Sequence, residues 1–137
     1  MPMTDILFAY GTLMTAAHAS RTGRRERERL AREARSLGAA RLPGRLVDLG
    51  RYPGLVEGGD SVVHGEALRL ADPEATLAWL DTYEGIVPGG RGPTEYVRVE
   101  RTIRLEAEQD VTAWVYVYQR DVTGKPEVPG GRWVVPA

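Results

Sequence analysis

The chain has 137 residues, a formal net charge of −1 and no cysteine. This length suits one domain that buries its own core, and the shares of hydrophobic (42%) and charged (27%) residues are those of an ordinary globular protein. The lack of cysteine excludes disulfides, thiolate nucleophiles and cysteine-ligated metals, and the two histidines, His18 and His64, have no second ligand at a metal-binding spacing. We expect a single domain over residues 1–137, without a metal, whose chemistry rests on carboxylates, hydroxyls and backbone groups.

Neither the charge nor the hydropathy of the chain indicates a membrane. The first residues lack the basic stretch and apolar core of a signal peptide, and no run of about 18 apolar residues occurs. We therefore expect a cytoplasmic protein with no membrane segment.

The first predicted strand covers Ile6 to Tyr10 and ends on a turn formed by Tyr10, Gly11, Thr12 and Leu13. A strand that ends in a glycine turn presents several backbone N–H groups in one place, and such a concavity binds an oxygen anion such as a carboxylate or phosphate. The ordinary alternative is a tight turn in which glycine supplies a positive φ.

Residues 21–36 carry seven arginines and three glutamates, with Leu30, Ala34 and Leu37 at the i, i+4 and i+7 positions of a helical stripe. This pattern predicts a surface helix. Its arginines would also suit a nucleic acid, but no aromatic residue is interleaved for base stacking. Alternating arginine and glutamate supports a helix through i, i+4 pairs, so a solvated helix face is favoured and nucleic acid is not expected as a partner.

Glycine and proline then separate a series of short apolar segments. Pro43 and Gly44 indicate a bend or bulge within the first of these strands, and the run from Val111 to Tyr118 is rich in β-branched and aromatic residues, which is typical of a central strand. The further predicted strands cover residues 39–48, 55–56, 62–70, 96–103, 111–118 and, near the end of the chain, 133–135.

A helix interrupts this series of strands, and its ends are marked by capping residues. Asp72 is a good N-cap, Pro73 suits the first helical position, and Gly85 is placed to end the helix. The side chains expected to pack are Leu77, Trp79, Leu80 and Tyr83. Short strands around this helix, with a charged helix near the start, predict an α+β domain in which helices lie against a small curled sheet or barrel.

Glu84 lies on the inward face of this helix, since its direction falls between those of Leu77 and Leu80. Partial burial and the negative end of the helix dipole both disfavour the anion, so we expect a raised pKa. Such a glutamate suits proton transfer near neutral pH. Alternatively the last turn frays and Glu84 reaches water. Asp81 is interpreted as structural, a partner for a loop N–H or an arginine.

Two segments together resemble the γ-glutamylcyclotransferase-like family, also called AIG2-like. These are Tyr10-Gly11-Thr12-Leu13 and Leu80-Asp81-Thr82-Tyr83-Glu84-Gly85. Further matches are Tyr52-Pro53-Gly54, Val63-His64-Gly65-Glu66, Tyr96-x-Arg98 and Ala113-Trp114-Val115-Tyr116. Their order and approximate spacing hold from Ile6 to about Tyr118, most of the chain.

The resemblance implies a small mixed β-barrel with flanking helices and a cavity beside the glycine loop. It implies that Glu84 acts as the general acid and base. The residues implied to bind the substrate carboxylate are Tyr10, Gly11, Thr12 and Leu13, and those implied to line the cavity with hydroxyls are Tyr96 and Tyr116.

The reaction that the resemblance implies is intramolecular. The α-amino group of a small γ-glutamyl substrate attacks its own side-chain carbonyl, closes a five-membered lactam and expels an amine, giving 5-oxoproline. Ring closure supplies proximity and one carboxyl serves both proton transfers, so no cofactor is expected.

The sequence departs from the compact members of the family in two places. One is the arginine-rich segment, and the other is the Gly-Pro-rich loop from Val87 to Pro93, beside the expected catalytic glutamate. Because loops decide which amine fits, the leaving group stays open. A second hypothesis also stays open, that of a non-catalytic binding protein on the same scaffold that meets a partner through the arginine-rich helix.

Overall fold

The protein forms a closed five-stranded β-barrel with two flanking α-helices and a separate two-stranded sheet. The computed structural model describes residues 4–15, 22–86 and 95–133. In chain order the elements are β1 (Ile6–Ala9), α1 (Arg24–Glu33), β2 (Ala34–Pro43), β3 (Arg45–Asp48), β4 (Pro53–Val56), β5 (Val62–Leu70), α2 (Pro73–Tyr83), β6 (Tyr96–Leu105) and β7 (Asp110–Tyr118). A short 3₁₀ turn, Pro129–Gly131, follows.

The barrel order is β1-β5-β2-β6-β7, and it closes where β1 meets β7 in parallel at Leu7 and Trp114. The other neighbours in the barrel are antiparallel. The expected α+β class and small mixed barrel with flanking helices are therefore confirmed.

The strand β1 is buried on both faces because it lies between two cores. Phe8 points into the barrel interior, whereas Leu7 packs under the helices with Leu77 and Leu80 of α2. Burial on both sides explains why this strand is continuously apolar rather than alternating. It also places the end of β1 at the junction of barrel and helices.

The arginine-rich helix is shorter than the prediction over residues 21–36, because it ends at Glu33. From Ala34 the chain pairs with β5, with Ala34 opposite Leu70 and Ser36 opposite Leu68. Strand pairing thus overrides the helical spacing that had placed Ala34 and Leu37 on an apolar stripe. Within α1 the buried residues are Arg27 and Leu30.

The second helix confirms the capping argument. The side chain of Asp72 accepts a hydrogen bond from the N–H of Ala75, Pro73 opens the helix, and Gly85 follows it with a left-handed φ of 84°. Tyr83, which was expected to pack, is instead 38% exposed.

The bend expected at Pro43 and Gly44 is confirmed, since β2 ends at Pro43 and β3 begins at Arg45. The loop from Val87 to Pro93 and part of the predicted tail strand, Val134 and Val135, lie outside the described residues. No helix within the described part of the chain is long and apolar enough to cross a membrane.

Gly65 lies where β5 crosses β1, and it leaves no room for a side chain. An added Cβ would overlap the Ala9 carbonyl oxygen and lie 2.9 Å from Phe8 Cζ. We expect Gly65→Ala to lower the free energy of unfolding by about 2–3 kcal/mol, as overpacking does. The control is Gly58→Ala, whose Cβ meets nothing within 4 Å and whose left-handed φ costs about 1 kcal/mol. Equal losses in urea denaturation would contradict this expectation.

Candidate active site

The turn that follows β1 presents backbone amides that have no hydrogen-bond partner among the described residues. Met14 donates its N–H to the Gly11 carbonyl oxygen at 3.1 Å and closes the turn. The N–H groups of Gly11, Thr12 and Leu13 make no hydrogen bond to another described residue, although Gly11 and Thr12 are buried. Because a buried amide without a partner is costly, these groups suit an anion or ordered water.

Gly11 is required here by a close approach rather than by a positive φ. A Cβ at this position would lie 2.8 Å from Pro53 Cδ, so the β4 entry packs directly on the loop. Tyr52 and Pro53, from the Tyr-Pro-Gly turn that the sequence singled out, line the same cavity as the loop.

A cavity of about 690 Å³ opens beside the loop. Its volume is within the usual range for small-molecule sites, roughly 300–1,000 Å³. All seven residues singled out in the sequence line it: Tyr10, Gly11, Thr12, Leu13, Glu84, Tyr96 and Tyr116.

Glu84 caps the C-terminal end of α2 and faces this cavity. Its N–H bonds to the Leu80 carbonyl at 2.9 Å, so the last turn is intact and does not fray. Burial, together with smaller contributions from repulsion by Glu95 and then Asp81, raises the pKa of Glu84 to about 7. The expected rise in the pKa of Glu84 is confirmed. Two neighbouring carboxylates contribute to this rise, whereas the sequence pattern had suggested the helix dipole.

Asp81 forms an ion pair with an arginine, as expected for a structural residue. Its carboxylate accepts from Arg98 Nε at 2.7 Å and Nη2 at 3.0 Å, a two-pronged pair with about a fifth of each side chain exposed. The Tyr116 hydroxyl donates to the same carboxylate at 2.7 Å. The Arg98 guanidinium also stacks on Trp114, 4.3 Å from the ring centre. This network ties α2 to β6 and β7.

We expect Asp81→Asn to destabilise the protein by about 1–3 kcal/mol, because the amide nitrogen faces donors and leaves Arg98 without a full partner. Chemical denaturation measures the loss, and Asp60→Asn, at an exposed position, serves as the control. A variant as stable as the wild type would show that the network contributes nothing.

The cavity tyrosines donate their hydroxyl protons in hydrogen bonds to other groups of the protein. Tyr10 donates to the Tyr116 carbonyl oxygen, Tyr96 donates to the Pro53 carbonyl oxygen at 2.9 Å, and Tyr116 donates to Asp81. Burial is the main reason that the pKa of each tyrosine lies above its ordinary value. A hydroxyl has one donor, so these three hydroxyls have no proton left for a ligand.

Six further polar or charged residues line the cavity, and the sequence did not place them there: Thr22, Arg51, Tyr52, Tyr83, Glu95 and Arg120. Tyr52 and Glu95 are linked, the hydroxyl donating to the carboxylate at 3.2 Å. Nothing in the local pattern marks Glu95, because its place depends on how β6 enters the barrel.

Most arginines of α1 fit the solvated-face interpretation, and the exception is the buried Arg27. Arg24 pairs with Glu28 and Arg29 pairs with Glu33, both at i, i+4. Among the described residues no group of three or more His, Asp or Glu side chains is arranged to hold a metal ion.

The fold and the cavity define a class: a small mixed β-barrel that brings a loop of unbonded amides and a protonatable glutamate to one cavity. Residues 7–135 match the family model described as gamma-glutamyl cyclotransferase, AIG2-like, and the chain belongs to this family.

Known relatives agree with this assignment. The gamma-glutamylcyclotransferase family protein YtfP of Escherichia coli strain K12 is 40% identical over 89 residues, which are 65% of this chain and 66% of the relative. The match thus spans just under two thirds of that relative's length.

Two solved structures are similar over nearly the whole chain. The solution structure of protein ytfP from Escherichia coli has 35% sequence identity and a TM-score of 0.63, covering 94% of this chain and 96% of its own. The crystal structure of YkqA from Bacillus subtilis has a TM-score of 0.67 and 19% identity, covering 96% of this chain and 40% of its own, and shares the fold.

Proposed function

We propose that this protein is a γ-glutamyl-processing enzyme that cyclises a γ-glutamyl amine or amide to 5-oxoproline and a free amine. The observation that carries the proposal is the presence in one cavity of a glutamate with a pKa near 7 and of loop amides without a hydrogen-bond partner among the described residues. The family assignment supports the same chemistry.

The loop would hold the α-carboxylate of the γ-glutamyl group. Amides at Gly11, Thr12 and Leu13 are donors, and the cavity lining also includes the carboxylates of Glu84 and Glu95. A ligand with an anionic end and an amine fits this division of donors and acceptors. A phosphate fits less well, because ionised Glu84 repels it.

Glu84 would move both protons. As the carboxylate it takes a proton from the α-nitrogen, which attacks the δ-carbonyl carbon. As the acid it returns a proton to the leaving nitrogen, and the original amide C–N bond breaks. A pKa near 7 serves both steps at neutral pH, because the two protonation states are comparably populated.

The tyrosines would shape the cavity rather than move protons. Their hydroxyl protons are donated to Pro53, Asp81 and the backbone of Tyr116, and their raised pKa values keep them neutral. A neutral, braced wall holds the substrate's amine near Glu84 and favours ring closure by proximity.

The direct test is turnover of a panel of γ-glutamyl compounds, with α-amino acid, lysine side-chain and simple alkyl amines as leaving groups. We expect one or more members to give 5-oxoproline and free amine in equal amounts. The absence of lactam from every member would reject the proposal.

The second hypothesis, a non-catalytic protein that binds a partner through the arginine-rich helix, predicts the reverse result: no turnover, and an association abolished by charge reversal along α1. Arg24 and Arg29 each pair with a glutamate of the same helix, as in a solvated helix face. We therefore favour the enzyme.

A further inference from the structure

We propose that Arg27 is a positioning residue for the anion-binding loop: from behind the loop it holds the Thr12 carbonyl and thereby turns the Leu13 N–H toward the cavity. This inference rests on the proposed function, because it assigns the carboxylate subsite to the same loop. It gives the arginine-rich helix a role in positioning the loop, whereas the surface-helix interpretation treats the helix only as a solvated face.

Arg27 differs from the other arginines of α1 by its burial. It is 7% exposed, whereas Arg24, Arg25 and Arg29 are exposed. Its Nη1 donates to the Thr12 carbonyl oxygen at 2.9 Å and makes a longer contact, 3.4 Å, with the Thr22 carbonyl oxygen. Burying a guanidinium is costly unless it is hydrogen-bonded. The contacts with carbonyl oxygens therefore offset the cost of burying Arg27.

The geometry of the peptide bond carries the inference from the carbonyl to the amide. The described chain has no cis peptide bond, and in a planar trans peptide the carbonyl of one residue and the N–H of the next point in opposite directions. Thr12 and Leu13 line the cavity, and Arg27 is not among the residues that do. A Thr12 carbonyl directed at Arg27 therefore directs the Leu13 N–H away from it, to the cavity side.

The start of α1 supports the same loop through side-chain contacts. Gly23 precedes α1 with a left-handed φ of 72°, and a Cβ there would lie 2.9 Å from both Thr12 Oγ1 and Tyr83 Oη. The backbone of the helix start thus packs against the Thr12 side chain, and the loop is contacted from two directions.

The charge of Arg27 acts in the same sense as its geometry. A guanidinium bonded to the Thr12 carbonyl raises the electrostatic potential at the loop, and a buried charge is little screened by salt. Both effects favour a bound carboxylate.

The test is an NMR titration of ¹⁵N-labelled protein with 5-oxoproline, following the Leu13 amide. In the wild type we expect this resonance to shift with bound carboxylate. In Arg27→Met we expect the affinity to fall about 10-fold or more, as for a lost hydrogen bond to a charged group, with KM raised more than kcat is lowered. Arg27→Lys keeps the charge and one donor, so its affinity should lie between the two.

Arg25→Met is the matched control, because Arg25 is exposed on the same helix, and it should bind as the wild type does. The inference is overturned if the wild-type Leu13 amide does not respond, or if Arg27→Met binds normally. If Arg27→Met does not fold, Arg27→Lys decides, and wild-type affinity in that variant overturns the inference. If 5-oxoproline shifts Leu13 in an Arg27-dependent way but no γ-glutamyl compound is turned over, the inference stands and the proposed function fails.

Discussion

Replacing Glu84 with glutamine should abolish lactam formation while the protein stays folded. Glutamine keeps the shape of the side chain but neither accepts the proton from the attacking nitrogen nor returns one to the leaving amine. We expect kcat to fall by about 10²–10⁴-fold, the usual contribution of general acid–base catalysis. KM should change little, because the carboxylate of the substrate is held at the loop and not at Glu84.

Glu74→Gln is the matched control, since Glu74 lies in the first turn of the same helix and is exposed. It should retain wild-type kcat. Unchanged kcat in Glu84→Gln would remove Glu84 from the mechanism, and it would do so whether or not the loop binds a carboxylate.

The same substitution should stabilise the protein at neutral pH. In the unfolded chain the glutamate ionises around 4.5, whereas in the folded protein its pKa is about 7. The folded state therefore holds the proton more tightly, and wild-type stability falls as the pH rises from 4.5 to 7. Above that window the penalty is on the order of 3 kcal/mol. Glutamine does not ionise and escapes it.

Urea denaturation between pH 4 and pH 8 measures this difference. Glu84→Gln and the wild type should have similar free energies of unfolding at pH 4, and the variant should become the more stable protein by pH 8. A difference that does not change with pH, or a variant that is less stable at pH 8, would contradict the raised pKa. Glu74→Gln should follow the wild type at every pH.

The position of Glu84 was predictable because local rules govern it. Asp72 and Pro73 fix the start of α2, and the helical period then places Glu84 on the face that also carries Leu77 and Leu80. The glycine turn was predictable for a similar reason, since it directly follows an apolar strand. Both features lie within about a dozen residues of the signals that mark them.

The rest of the site depends on contacts between distant segments. Glu95 reaches the cavity because β6 pairs with β7 in the register that sets Tyr96 opposite Tyr118. The end of α1 depends on the pairing of Ala34 with Leu70 in β5. No spacing within the arginine-rich segment marks Arg27 as the buried member, because that follows from how α1 meets the loop at Thr12.

The central claim is that the protein cyclises a γ-glutamyl group, with no water molecule attacking the carbonyl. One isotope measurement tests this claim. The panel member converted fastest would be incubated with the wild-type protein in ¹⁸O-labelled water and the products analysed by mass spectrometry. Cyclisation predicts 5-oxoproline without ¹⁸O and an equal amount of free amine, because the α-nitrogen, not water, attacks the carbonyl. Glutamate that carries ¹⁸O in its side chain would show hydrolysis by water and contradict the account.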